Sequence, residues 1–101
     1  MTRETEKAFK ILYCEYKSRR NHKESKKQAV YFSDSMIHAL EKLKSWNPDD
    51  IDCAVKELQS NGFVQCDICG GVTILNDGLE WIEARPKEFW KDVLDLVGNL
   101  L

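Results

Sequence analysis

The residues best equipped for chemistry are four cysteines, two histidines and one dense group of cations. Cys66-Asp67-Ile68-Cys69-Gly70-Gly71 sets two thiols at Cys-x-x-Cys spacing ahead of a double glycine, which resembles half of a zinc knuckle. A closed tetrahedral site takes four ligands, and the other candidates, Cys14, Cys53, His22 and His38, each stand alone. Helical spacing assigns Cys14, Cys53 and His38 to the polar sides of their helices, and His22 to a charged connector. A redox role for Cys66 and Cys69 would want a helix N-terminus to stabilise a thiolate, and a hairpin has none. The pair therefore reads as ordinary small strand residues, with no metal and no other cofactor called for. No nucleophile stands beside an implied general base, and no glycine loop is shaped to cradle phosphate. The expectation is a protein that is not an enzyme.

Binding chemistry is better represented. Lys17, Arg19, Arg20, Lys23, Lys26 and Lys27 fall within eleven residues and are opposed locally only by Glu24. Residues 1–45 carry 11 Lys/Arg against 6 Asp/Glu, whereas residues 46–101 carry 4 against 11. Such asymmetry points to a polyanionic partner or to self-association of unlike faces, and equally to a solvated helix end. Against a duplex these six cations would meet phosphates, giving affinity without sequence readout. Tyr16 and Tyr31 flank the group and none interleaves it, so stacking on single strands has little support.

The elements that must hold these residues follow from periodicity and capping. A first helix starts near Thr2 or Arg3 and shows one apolar face through Thr5, Ala8, Phe9, Leu12 and Tyr16. Ser25 caps a short turn through Lys26–Ala29, followed by Val30-Tyr31-Phe32. A second full helix opens at Ser33 or Asp34 and runs through Met36, Ile37, Leu40 and Leu43. Asn47 as cap with Pro48 at the first helical position starts a third helix, which buries Ile51, Ala54, Val55 and Leu58 and ends at Asn61-Gly62. From Phe63 the period becomes two, and the runs on either side of Gly70-Gly71 read as a hairpin over 63–75. Asn76-Asp77-Gly78 caps a fourth helix carrying Leu79, Trp81 and Ile82, Pro86 interrupts it, and a last helix spans 87–101.

The order helix, helix, turn, helix, hairpin, helix resembles the winged helix-turn-helix superfamily. The likeness is carried by the stretch from Asn47-Pro48-Asp49-Asp50-Ile51 to Asn61-Gly62-Phe63-Val64 and by Ile74-Leu75-Asn76-Asp77-Gly78-Leu79-Glu80-Trp81-Ile82-Glu83. It spans roughly residues 30–85 and resembles small bacterial or phage-borne members with an extra C-terminal helix. The expected fold is mainly α with a small β-hairpin, one domain over 1–101 with its core at about 3–85.

The resemblance implies DNA binding through the third helix, and its residues argue otherwise. With Ile51, Ala54, Val55 and Leu58 turned inward, Asp49, Asp52, Cys53, Lys56, Gln59 and Ser60 face out, flanked by Asp50 and Glu57. That is the wrong sign for approach to phosphate, and 67–71 offers no Lys or Arg. On the last helix Phe89, Val93, Leu96 and Leu100 would dock on the first helix. This leaves Trp90, Leu94, Val97 and Leu101 partly exposed, so that a homodimer interface over Phe89, Trp90, Val93, Leu94, Val97 and Leu101 is expected. Terminal helices of DNA-binding winged helices often dimerise, which the resemblance also implies. The start of the chain has no apolar leader and no stretch reaches the ~20 apolar residues of a membrane span, so a cytoplasmic protein with no membrane partner is expected. Two roles fit: a nucleic-acid-associated regulator, dimeric through its last helix, that touches phosphate through Lys17–Lys27, or a protein-interaction module that has given up DNA and uses the acidic face of the third helix and the terminal helix.

Overall fold

The computed structural model describes residues 1–93. Helix α1 (Arg3–Asn21) begins where the Thr2 hydroxyl accepts the Thr5 amide, with Glu4 and Glu6 in the first turn against the positive end of the helix dipole. Helix α2 (Lys26–Ala29) is a single turn capped by Ser25, and helix α3 (Asp34–Ala39) is capped by Ser33. Helix α4 (Pro48–Ser60) is capped by Asn47. It closes at Asn61, after which Gly62 takes φ +77°, a left-handed conformation that glycine adopts without steric cost. Each of these starts was legible as a local side-chain-to-amide bond.

Strands β1 (Tyr31–Phe32), β2 (Val64–Cys66) and β3 (Val72–Ile74) form an antiparallel sheet in the order β1-β3-β2. The hairpin stands where the change of period put it. Its register pairs Val64 with Ile74 and Cys66 with Val72. The sequence reading has no third strand: Tyr31 pairs with Thr73 and Phe32 with Val72, across about forty residues of chain. Alternation then sorts the two faces, with Phe32, Val64, Val72 and Ile74 inward and Tyr31, Gln65 and Thr73 outward.

Three expected helices are corrected. The second stops at Ala39, because Leu40 turns extended (ψ 133°) and residues 40–46 run as turns, which lets Leu43 reach the interior. Helix α5 (Asn76–Glu83) has Leu75, not Asn76, at its cap position, with no side-chain capping bond. The Leu75 amide instead donates to the Phe63 carbonyl (2.9 Å), which ties the helix to the hairpin. After Pro86 the described chain continues as a 3-10 segment, Lys87–Val93, rather than an α-helix.

The core joins α1 to everything else. Thr5, Ala8, Phe9, Leu12 and Tyr16 are buried as their spacing requires, and Phe9, Leu12 and Tyr16 share one cluster with Ile51, Val55 and Leu58 of α4 and Phe32 of β1. An aromatic file extends it: Phe63 lies 5.0 Å from Trp81, Trp81 5.6 Å from Phe89, Phe89 5.3 Å from Trp90, and Trp90 5.6 Å from Tyr13. Offset and edge-on ring pairs of this kind add about 0.5–1.5 kcal/mol each beyond area burial. Burial and the hydrogen bond to Glu83 push the Tyr13 phenol well above its ordinary range, so it is a neutral donor there. At the start of α1, the Glu57 carboxylate accepts the Thr2 amide at 2.9 Å, which holds its carboxyl below the usual range.

Gly78 fixes the approach of α5 to the hairpin, since a Cβ there would collide with the carbonyl oxygen of Phe63. Gly78→Ala should lower stability by about 1–3 kcal/mol, the usual cost of overpacking a close contact. Gly62→Ala meets no neighbour and bears only the strain of its positive φ, about 1 kcal/mol. Urea denaturation of the two variants measures both costs, and the larger loss is expected at Gly78.

Candidate functional site

The six cations singled out by sequence do not share one face. Arg19, in the last turn of α1, is only 8% exposed and turned inward. Its Nη1 donates to the carbonyls of Tyr31 (2.7 Å) and Ala29 (3.4 Å), its guanidinium lies 4.2 Å from the centre of the Phe32 ring, and its Nε meets Glu15 at 3.4 Å. Five donors in a planar fork suit this arrangement and a lysine would not. Arg19 is thus removed from the set of nucleic-acid contacts, because its charge is committed to the junction between α1 and the sheet. Arg20, Lys23, Lys26 and Lys27 are exposed and Lys17 is half-exposed, so five cations remain on the outside.

That junction borders a concavity. An open groove of about 1000 Å³ runs between α2, the outer edge of β1 and the start of α3. Glu24, Ser25, Lys27 and Gln28 line it together with Tyr31, Met36 and Thr73. Tyr31 and Met36 are 40% and 39% exposed, and with Ile68 at the hairpin tip (98%) and Met1 they are the large apolar residues open to solvent among the described residues. Strand β1 is an edge, and an open edge invites an added strand. Here the Val30 carbonyl is taken inward by the Ile74 amide (3.0 Å), and the outward Tyr31 carbonyl is taken by Arg19. The edge is blunted, so the groove offers side chains rather than backbone.

The opposite charge gathers elsewhere. Asp49, Asp50, Asp52, Cys53, Lys56, Gln59 and Ser60 are all exposed on α4, as helical spacing required. The hairpin tip is built on Asp67, whose Oδ1 accepts the amides of Cys69 (2.9 Å) and Gly71 (2.8 Å), while its Oδ2 lies 3.4 Å from the Tyr31 hydroxyl. The tip therefore presents a carboxylate and Ile68, and no cation.

None of the four cysteines is in a disulfide. Cys66 is half-buried and Cys69 exposed. Burial, with Asp67 adding to it, pushes the Cys66 thiol up, away from the thiolate that metal or redox chemistry uses. Cys14 faces the interior at 8% exposure, contrary to its expected polar placement, whereas Cys53 is exposed as expected. A different set of ligand-type atoms does converge. His38 Nε2 lies 3.5 Å from Asp34 Oδ1 and 3.7 Å from Asp52 Oδ1, joining α3 to α4. Sequence reading placed His38 on a polar face and missed the cluster; the Asp34/His38 spacing of four on one helix was the available signal.

The expected dimer surface is also corrected where it can be seen. Trp90 is 5% exposed and packs on Tyr13 and Phe89, so it belongs to the interior of one chain. Phe89 is half-buried beneath the Lys10 ammonium, 4.1 Å from its ring centre. Val93 ends the 3-10 segment, and Leu94, Val97 and Leu101 lie outside the described residues. Among the described residues no helix is long and apolar enough to cross a membrane. Compared with known proteins, the chain matches no family model, no characterised protein and no solved structure.

Replacing Arg19 by Ala should cost about 2–3 kcal/mol, since it leaves two carbonyls without their charged donor and uncovers Phe32. Lys27→Ala, on the exposed rim, should fall within ~0.5 kcal/mol of the parent. Thermal or urea unfolding of both variants checks the contrast, and equal losses would contradict the burial of Arg19.

Proposed function

We propose that this chain is a non-catalytic binding module of winged-helix type that receives its partner in the groove between α2 and α3 rather than on the exposed face of α4. The supporting observation is the coincidence, in one concavity, of two exposed large apolar side chains, Tyr31 and Met36, with the Lys27 ammonium, which shares the lining with Glu24. Apolar groups open to water at a groove are the usual anchors of a protein partner, and flexible methionine suits a surface that adapts. Nearby Lys23, Lys26 and Arg20 add positive charge that steers and orients rather than anchors. The partner that fits is a protein segment with apolar side chains flanked by carboxylates.

The winged-helix assignment is supported by element order and by a buried α4 stripe leading through Gly62 into the hairpin. It does not carry DNA recognition with it, because a fold does not fix a function. The carboxylates of α4 and the tip carboxylate of Asp67 oppose entry into a groove between phosphates.

A second reading is favoured by the five outward cations: contact with duplex phosphate through Lys17, Arg20, Lys23, Lys26 and Lys27. The two readings differ in their dependence on salt and on apolar contact. Phosphate binding weakens with a log–log slope of about −0.9 per contact, whereas apolar anchoring responds weakly to salt.

Fluorescence anisotropy with an acidic peptide containing Leu and Phe, alongside a generic duplex, distinguishes them. The protein-partner reading expects peptide binding that survives moderate salt and weakens at least tenfold in Tyr31→Ala or Met36→Ala, about 1.4 kcal/mol. Duplex binding that collapses with salt and disappears in a Lys23→Glu, Lys26→Glu, Lys27→Glu variant would replace it with the phosphate reading. Absence of binding to either probe at low ionic strength would end both.

A further inference from the structure

We infer that Asp34, His38 and Asp52 form a mixed nitrogen–oxygen site for a divalent transition metal, zinc being the one that best fits the donor set. The three side chains come from two consecutive helices, Asp34 and His38 from α3 and Asp52 from the exposed face of α4. Their ligand atoms all lie within 4.8 Å of one another, with His38 Nε2 between the two carboxylates at 3.5 and 3.7 Å. Ligands about 2.1 Å from a metal sit roughly 3.0–3.4 Å apart in octahedral or tetrahedral geometry. The two edges to His38 therefore shorten by a few tenths of an ångström, and the edge between the two carboxylates, within 4.8 Å, closes by side-chain rotation of the exposed aspartates.

The donor chemistry selects within the divalent ions. Calcium takes six to eight oxygens, and this site offers two carboxylates and an imidazole nitrogen, the set that suits zinc and its neighbours. Two carboxylates also neutralise a dication. Three protein ligands leave the fourth position of a tetrahedron to water or to a partner's side chain, an open arrangement rather than a closed structural one.

The side chains are held in place from outside the triangle. Asp34 is the first residue of α3, next to the Ser33 cap that bonds the Met36 amide. It packs against the hairpin tip, where a Cβ on Gly70 would come within 3.1 Å of its Oδ1. Asp52 sits one turn into α4 behind the Asn47 cap. His38 is the least exposed of the three, its side chain 29% accessible against 58% and 57% for the aspartates. The site shares no residue with the lining of the groove proposed above and includes neither Cys66 nor Cys69.

The same distances would also suit a protonated imidazole bridging two carboxylates, and metal affinity tells the two apart. Isothermal titration of the full chain with zinc at neutral pH, and the visible spectrum of the cobalt form, should show one metal per chain. His38→Ala should weaken binding at least tenfold while the far-ultraviolet circular dichroism is unchanged. Asp52→Asn, on an exposed helix face where folding is not at issue, should weaken it similarly. Cys66→Ser with Cys69→Ser should bind as the parent does. No binding by the parent overturns the site, as does parent-like affinity in either His38→Ala or Asp52→Asn, or loss of binding in the cysteine variant.

Discussion

Phe9 and Leu12 of α1, Phe32 of β1, Leu58 of α4 and Ile82 of α5 are each 1% exposed or less. Burying them in one interior settles where every polar face must point. Removing apolar surface from water is worth about 25 cal/mol per Å², so a turn of any one helix that lifted its stripe out of this cluster would cost more than a surface ion pair returns. The acid face of α4, the outward row Tyr31, Thr73 and Gln65 on the sheet, and the rim of cations at the far end of α1 are consequences of that packing.

Arg19 is where packing and charge meet. A guanidinium at 8% exposure is tolerated because carbonyls, a carboxylate and an aromatic face surround it. The consequence is double: one cation leaves the surface, and the edge of β1 loses the free carbonyl that another strand would seek. What remains beside that edge is a groove that offers Tyr31, Met36 and Lys27 as side chains.

Local signals in the sequence were enough for much of the fold. Thr2, Ser25, Ser33 and Asn47 cap helices by bonding amides two or three residues on, and Gly62 supplies a left-handed turn; neither depends on distant residues. The hairpin's change of period is equally local. Strand β1 was not legible because two residues have no period and its partner is β3, far along the chain. The inward turn of Arg19, the burial of Cys14 and the seating of Trp90 on Tyr13 are tertiary choices. Composition marks Arg19 as a cation and says nothing of the carbonyls waiting for it. The meeting of Asp34, His38 and Asp52 depends on how α3 approaches α4, which the early end of α3 at Ala39 controls. The polar face of α4 was legible because a strongly amphipathic helix declares both of its sides.

The claim that the groove, and not α4, is the working face is tested most directly by amide chemical shifts of the 15N-labelled protein on titration with an acidic peptide containing Leu and Phe. The account predicts that the shifts concentrate at Lys27, Gln28, Tyr31, Met36 and Thr73. Shifts confined to Asp49–Ser60, with those groove amides unmoved, would contradict it.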